Sequence, residues 1–289
     1  MRTLLRWLGI GFGSIFILLL IAAGAVWYAS ARELSRLHPP QPERLATPTP
    51  AQLADAPRQL RVLGCISCHG EGLQGRRMFH EAGVATVWAP NLTLVAAQST
   101  DQQLAQGIRQ GIGHDGRTLW VMPSGLFSRL SDSEVAALVS AIRALPRGGS
   151  ATAPVEVGPI GRIGIVTGRF RSAHALIEDF RRRVPIAAGP QHEAGRRLVS
   201  IACAECHGPD LGGAAPTPEA VAPDLSRAAA YDPDQFRTLM RTGRPPDGRD
   251  LGLMASVARA DFSHYTDAEI AQIHGYLQAR AQRVPPPDR

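Results

Sequence analysis

The longest apolar run in the chain lies at its N-terminus, where residues 7–31 contain no charged side chain. As a helix, that run would span about 37 Å, enough to cross roughly 30 Å of bilayer hydrocarbon. Arg2 and Arg6 precede it, so the positive-inside rule predicts a cytoplasmic N-terminus and an exported remainder. We therefore predict a membrane anchor. A cleaved signal peptide is the alternative, because the sequence Ala29-Ser30-Ala31 offers a cleavage site.

Two units follow the anchor, and their polar and apolar patterns match each other landmark by landmark. In each unit an amphipathic stretch precedes a cysteine pair, and then come an A-P-x-L motif, a D-G-R motif and a final helical stretch. That last stretch opens with the spacing of a capping box in both units, Ser131 with Glu134 and Thr266 with Glu269. The shared order of landmarks indicates duplication of one domain.

No alternating strand pattern recurs in either unit. We therefore predict an all-α fold, in which an N-terminal transmembrane helix is followed by two tandem domains. A proline-rich tether precedes the first domain, and a linker with room for a short helix joins the two. The predicted boundaries are 1–34 for the anchor, 35–51 for the tether, 52–147 for the first domain, 148–187 for the linker and 188–284 for the second domain.

Composition narrows the function classes. The chain of 289 residues has a formal net charge of +6, and arginine supplies all of its basic side chains apart from histidine. The excess positive charge lies near the apolar run and in the linker, so we predict no nucleic-acid partner. All four cysteines belong to the two C-x-x-C pairs, which leaves none for a structural disulfide.

Each cysteine pair is followed at once by a histidine, in "CISCH" (65–69) and in "CAECH" (203–207). On a helix, residues at positions i, i+3 and i+4 share one face. Two thioethers and one imidazole can therefore address one planar group, and C-x-x-C-H is the c-type haem attachment motif. A redox dithiol needs no such histidine, and a four-cysteine zinc site normally has closer pairs. We predict two covalently attached haem c groups, bound through Cys65, Cys68, His69, Cys203, Cys206 and His207.

A haem iron held by one histidine takes a second axial ligand, and a methionine thioether suits electron transfer because it raises the reduction potential. Met122 and Met254 lie at matched places, each seven residues after the aspartate of the D-G-R motif. We predict that His69 and Met122 hold the first iron and that His207 and Met254 hold the second. Ligation by His264 or His274 stays open for the second haem, and by His114 for the first.

Other matched positions have less specific roles. Arg109 and Arg241 could meet haem propionates, and Asn91 could order the ligand loop, although helix capping and surface solvation explain these positions as well. Leu119 and Trp120, just before Met122, are predicted to form an apolar wall of the haem crevice.

With these motifs the chain resembles the membrane-anchored dihaem cytochromes c, which are built from two class I cytochrome c domains. It is similar to the cytochrome c subunits of periplasmic alcohol and other dehydrogenases. The likeness covers about 51–146 and 186–284 and rests on "CISCH", "PNLT", "DGRTLWVMP" and their counterparts in the second unit. It implies a cytochrome c fold in each half and one-electron transfer. Those dehydrogenase subunits carry three haem domains, and this chain has two.

We predict an electron-transfer protein rather than an enzyme, in a bacterial inner membrane, single-pass, with periplasmic haem domains. Its expected partners are membrane lipid around the N-terminal helix and redox proteins, namely a dehydrogenase, an oxidase, a quinol-oxidising complex or a reaction centre. It would serve a larger respiratory, dehydrogenase or photosynthetic complex. The alternatives are a free-standing tethered shuttle and a dihaem peroxidase-like enzyme. A peroxidase needs an open iron site, which a methionine in both units argues against.

Overall fold

The computed structural model describes residues 2–39, 42–215 and 221–283. Residue 1 of the predicted anchor, residues 40–41 of the predicted tether, and residues 216–220 and 284 of the predicted second domain lie outside the described residues. The helices are α1 (Arg2–Leu34), α2 (Pro50–Val62), α3 (Cys65–His69), α4 (Leu92–Gln98), α5 (Asp101–Gln110), α6 (Ser124–Phe127), α7 (Asp132–Arg143), α8 (Pro159–Val166), α9 (Ala173–Arg182), α10 (Glu193–Ala202), α11 (Ala204–His207), α12 (Pro233–Thr242), α13 (Leu253–Ala260) and α14 (Asp267–Ala281). The strands are β1 (Arg76–Glu81), β2 (Ala85–Ala89) and β3 (Glu156–Val157).

The apolar run forms one continuous helix, α1, whose side chains are almost all exposed. Within the described part of the chain, α1 alone is long and apolar enough to cross a membrane. Its 33 residues extend about 50 Å, well beyond the hydrocarbon thickness. A signal sequence near the N-terminus can also be a long apolar helix, so length and composition do not separate it from a membrane anchor.

The segment that follows α1 is held against the first unit by hydrogen bonds. The His38 amide donates a hydrogen bond of 2.8 Å to the Gly116 carbonyl, beside the D-G-R motif. The Glu43 carboxylate is nearly buried and accepts hydrogen bonds from Arg109 and Gln110. The segment predicted to be a tether is therefore anchored at two points before α2 begins at Pro50.

The prediction of an all-α fold is wrong in one region. β1 and β2 form an antiparallel hairpin in the first unit, and β3 from the linker adds a short third strand beside β2. β1 gives no sequence signal because five of its six residues are exposed, so apolar alternation is missing. Gly83, with φ of +75°, makes the turn. The rest of the described fold is helix and loop.

In both units the helix before the cysteines packs on the last helix of that unit, α2 on α7 and α10 on α14. The predicted starts of the last helices are confirmed, because Ser131 and Thr266 are the N-caps. The side chain of each cap accepts a hydrogen bond from the backbone amide of the glutamate three residues on. The carboxylate of that glutamate in turn accepts a hydrogen bond from the backbone amide of the cap. The capping boxes therefore fix where both helices begin.

Gly195 permits the close crossing of α10 and α14. A β-carbon there would lie 2.0 Å from the Gln272 carbonyl oxygen, so the two backbones would have to separate. We expect Gly195→Ala to lower the free energy of unfolding, measured in urea, by about 1–3 kcal/mol through overpacking. Gly275→Ala on α14 is the matched control, since its nearest neighbour would lie at 3.9 Å. It should be neutral or stabilise by up to about 1 kcal/mol, and equal losses in the two variants would contradict the crossing argument.

The linker holds two helices where one was predicted. α8 packs against α1, and α9 packs against α6 with Phe180 in the core. These helices do not separate the two units, because the units contact each other directly. Arg58 of α2 donates to the carboxylate of Glu269 at 2.8 Å, and Arg129 donates to the Ser200 carbonyl at 2.8 Å. One apolar core runs through both units.

Candidate functional site

The predicted attachment residues converge in each unit. Gly64, in the left-handed region with φ of +73°, ends the run of α2 and lets α3 start in a new direction. One turn of α3 then places Cys65, Cys68 and His69 on the wall of a single cavity, the first cavity. In the second unit Cys203 precedes the short helix α11. There the equivalent residues Cys203, Cys206 and His207 line a second cavity.

Both histidines are held in one tautomer by a backbone carbonyl. His69 Nδ1 lies 2.8 Å from the Pro90 carbonyl oxygen, and His207 Nδ1 lies 2.7 Å from that of Pro223. A carbonyl only accepts, so each Nδ1 carries the proton and each Nε2 keeps its lone pair. Metal-binding histidines are oriented in this way by outer hydrogen bonds. Burial lowers the pKa of both imidazoles and so favours the neutral rings, while the carbonyl hydrogen bonds oppose the shift.

The two proline loops are built differently. In the first unit the Asn91 side chain accepts hydrogen bonds from the Thr93 backbone amide and hydroxyl, and donates to the Gly148 carbonyl at 2.7 Å. In the second unit Asp224 takes that place, accepts from Ser226, and pairs with Arg280 at 2.8 Å. Both side chains cap the turn after the proline, so they fix the carbonyl that holds the histidine.

We expect the exchange Asn91→Asp to cost about 2–3 kcal/mol of unfolding free energy at pH 7. The carboxylate would keep the cap but face the Gly148 carbonyl, which has no proton to donate, in a buried site. Protonation at low pH restores a donor, so the loss should shrink as the pH falls. Urea titrations at pH 4 and pH 7 test this, and an unchanged stability at both values would contradict it.

Met122 and Met254 line the first and second cavity respectively. Val121 immediately before Met122 has φ of +69°, a costly conformation for a β-branched residue, and Pro123 follows. Met254 instead lies in the first turn of α13. Met240 also lines the second cavity. It directly precedes Arg241, and the residue at the matched place in the first unit, directly before Arg109, is Ile108, which lines the first cavity and has no sulfur. The structure therefore offers a sulfur at equivalent places only through Met122 and Met254 among the described residues.

The rival histidines lie elsewhere. His114 is exposed and does not line the first cavity, and neither His264 nor His274 lines the second. The His274 ring is buried and stacks on Phe236 at 4.7 Å between centroids. Burial lowers the pKa of this imidazole. It therefore has a packing role behind the cavity wall.

Two further expectations are corrected. Leu119 and Trp120 do not line the first cavity, because Trp120 turns to the linker and packs on Phe170 at 4.9 Å. Arg109 and Arg241 do not face the cavities either. Arg109 donates to Asp132 and Arg241 donates to Asp267, the first residues of the last helices, at 2.7 and 2.8 Å. Both arginines therefore tie α5 and α12 to the final helix of their own unit.

The two cavities are apolar but differ in volume. The second measures about 400 Å³, within the 300–1,000 Å³ typical of ligand and cofactor sites. The first measures about 40 Å³, although its lining comes from the equivalent residues. The donor set of two cysteines, one histidine with a free Nε2 and one methionine fits a c-type haem at both places. The volume of the second cavity suits a cofactor of this size. The first cavity is too small, so its walls would have to separate to admit one.

The other interpretations of the cysteines fit less well. Burial raises the pKa of the Cys65 and Cys203 thiols to about 12, the opposite of the lowered pKa that makes a reactive dithiol. In the described part of the chain no group of three or more His, Cys, Asp or Glu side chains is placed to hold a metal ion. The four cysteines therefore form no zinc site there.

Comparisons with known proteins agree with this geometry. The family model described as cytochrome c matches residues 192–281, so the chain carries a cytochrome c domain in its second half. The fructose dehydrogenase cytochrome subunit of Gluconobacter japonicus is 26% identical over 243 residues, covering 74% of this chain and 50% of that protein. The cytochrome c subunit of alcohol dehydrogenase (quinone) from Gluconobacter oxydans (strain 621H) is 23% identical over 262 residues, covering 76% and 52%. The chain thus spans about half the length of the curated relatives it matches.

Proposed function

We propose that this chain is a membrane-tethered dihaem c-type cytochrome that carries single electrons as a subunit of a larger dehydrogenase complex. The observation that carries the proposal is the histidine geometry, repeated in both units. Each histidine follows a C-x-x-C pair, donates a hydrogen bond from Nδ1 to a proline carbonyl, and lines an apolar cavity together with a methionine. A structural histidine has no reason to recur with all of these features.

A haem bound at each site supplies a one-electron iron couple. The chain's own residues then have separate tasks. Cys65, Cys68, Cys203 and Cys206 would attach the haems, and His69 and His207 would each ligate one iron through Nε2. The Pro90 and Pro223 carbonyls orient the imidazoles, whereas burial favours their neutral form. Met122 and Met254 line the same cavities and would supply the second ligands. Ligation by a thioether together with an imidazole would raise the reduction potential of the iron.

The two units are proposed to be tandem cytochrome c domains at 52–147 and 188–284. The matching order of helices, caps and proline loops supports this assignment, and the family match covers most of the second. Helix α1 is proposed to anchor them to a bacterial inner membrane with the haem domains in the periplasm. Arg2 and Arg6 on its N-terminal side support that orientation.

A dehydrogenase is the proposed electron-transfer partner, because both relatives are named as cytochrome subunits of dehydrogenases. Gentle detergent extraction of native membranes, followed by sizing and mass spectrometry of the haem-stained band, tests this. A dehydrogenase subunit that co-migrates in fixed ratio is the expected result. A dihaem chain that migrates alone would show a free-standing tethered shuttle instead.

The haem assignment is tested on the full chain matured in cells that attach c-type haem. Intact-mass measurement should show two covalent haems per chain, and a redox titration should show two one-electron steps. A single haem would restrict the proposal to one unit, and the digested peptides would show whether it is the second, with the larger cavity. A chain without covalent haem would overturn the proposal.

A further inference from the structure

Helix α8 of the linker lies against the C-terminal end of α1. Arg162 on α8 donates a hydrogen bond of 2.9 Å to the Ser30 hydroxyl, and its guanidinium lies 3.7 Å from the centre of the Trp27 ring. The contact between cation and aromatic face, with Ser30 fully buried, makes this a specific docking of the two helices. On its other flank, Gly161 packs closely on the Val84 carbonyl at the hairpin turn.

The contact with α8 lies near the C-terminal end of α1, at Trp27, which determines its depth relative to a membrane. Trp7 and Trp27 are 20 residues apart, which is about 30 Å along a helix and equals the hydrocarbon thickness of a bilayer. Tryptophan is enriched at both membrane–water interfaces. With α1 across the bilayer, Trp7 and Trp27 occupy the two interfaces, and α8 beside Trp27 lies at the level of the outer headgroups.

α8 also carries exposed apolar side chains. Ile160, Ile163 and Val166 follow one another at helical spacing and form a narrow stripe. All three have large exposed apolar surfaces, with 60% of Ile160 accessible. Water-facing isoleucines in a row at this level gain free energy when they enter an interface.

The charge around the stripe suits anionic lipid. Arg169 follows α8 and is exposed, and Arg32 is exposed at the end of α1. Arginines next to a membrane span are attracted to anionic headgroups. An exposed apolar stripe on a helix that is followed by a cation and packs against the proposed membrane-spanning helix matches the pattern of an interfacial helix.

We propose that α8 is an interfacial helix whose Ile160, Ile163 and Val166 lie in the outer headgroup region of an anionic bilayer. The proposal rests on the proposed anchoring by α1 and goes beyond it. A single spanning helix leaves the attached units free to tilt, whereas a second contact with the membrane sets their orientation. The stripe would thereby fix which faces of the two cavity-bearing units a membrane-bound partner meets.

The test uses the purified full chain with its haems, in vesicles of phosphatidylcholine with and without phosphatidylglycerol. A diazirine photolabel that partitions into bilayers is activated, and the labelled residues are located by mass spectrometry. Leu253 is the matched control, because it is 63% exposed against 60% for Ile160 and belongs to the second unit. We expect strong label in α1, several-fold more label at Ile160 and Ile163 than at Leu253, and a gain on α8 when phosphatidylglycerol is present.

The outcomes separate this inference from the proposals on which it rests. Label in α1 with no excess on α8 overturns the interfacial helix while the anchor stands. No label in α1 overturns both, and haem stoichiometry tests the electron-transfer proposal independently. A stripe labelled in vesicles of the purified chain but protected in native membranes is covered there by a protein, which also overturns the proposal. Ile160→Ser with Ile163→Ser should abolish the excess on α8 and leave the label in α1 unchanged.

Discussion

Replacing Met254 with leucine is expected to lower the reduction potential of one haem by roughly 0.1 V or more, since axial ligands set potentials over a range of about 0.8 V. Leucine keeps the volume of the side chain, so the cavity wall should stay intact at a cost below about 1.5 kcal/mol. The variant removes only the sulfur atom from a residue that lines the same cavity as His207. The reduced protein should then bind one carbon monoxide per chain, because the iron gains an open position.

The controls lie in the same cavities. Met240→Leu changes another methionine of the second cavity and should leave both potentials and carbon monoxide binding unchanged. Met122→Leu should produce the same effect at the other haem. If Met240→Leu shifted the potential and Met254→Leu did not, the ligand assignment of the second unit would be wrong.

Arg280→Ala is expected to lower the free energy of unfolding by about 3–5 kcal/mol, the usual cost of leaving a buried charge without its partner. The Arg280 side chain is only 3% exposed, and it pairs with Asp224, whose side chain is 13% exposed. Asp224 caps the turn that presents the Pro223 carbonyl, so the His207 environment should change in the same variant.

A surface arginine provides the comparison. Arg237 pairs with Asp234 on the outside of α12, with both side chains largely exposed, so Arg237→Ala should cost no more than about 1 kcal/mol. Urea titrations of both variants beside the parent chain measure the difference. Equal losses would show that the Arg280 pair contributes no more than an exposed one.

The same pair predicts a pH dependence. Burial alone would raise the pKa of Asp224, but hydrogen bonds from Arg280 and Ser226 outweigh burial and bring this pKa to about 2. The unfolded carboxyl titrates near 3.9, so the pair's contribution is complete above about pH 4 and is lost as the pH falls through about 2. The stability gap between the parent chain and Arg280→Ala should therefore close below pH 4. A gap that stays constant to pH 2 would contradict this assignment.

Structural features that depend only on residues close together in the sequence could be predicted. The capping boxes at Ser131 and Thr266 depend on residues three positions apart, and the attachment motifs depend on a single turn of helix. The helical class followed from periodicity, but the hairpin did not, since β1 is exposed and lacks alternation. Local spacing therefore predicts elements better than it predicts which exposed segments pair.

Features that depend on the fold were missed or misassigned. The A-P-x-L motif was recognised in both units, but its proline contributes a backbone carbonyl to a histidine 21 residues away in the first unit, which no side-chain pattern reveals. Trp120 lies two positions before Met122 yet packs on the linker, because the positive φ of Val121 between them turns the backbone. Arg280 carries no recognisable motif, and its importance appears only with Asp224 beside it.

The attachment of Glu43 to Arg109 limits how far the first unit can travel. A flexible chain over residues 35–51 would let that unit wander roughly 20–25 Å from the end of α1. With His38 and Glu43 fastened, only the few residues between Leu34 and His38 remain to extend, on the order of 14 Å at most. With α1 across a membrane, as proposed, the unit then stays in a thin layer above the bilayer surface. A partner fixed in the same layer meets it at a high effective concentration, and a diffusing partner gains no such advantage.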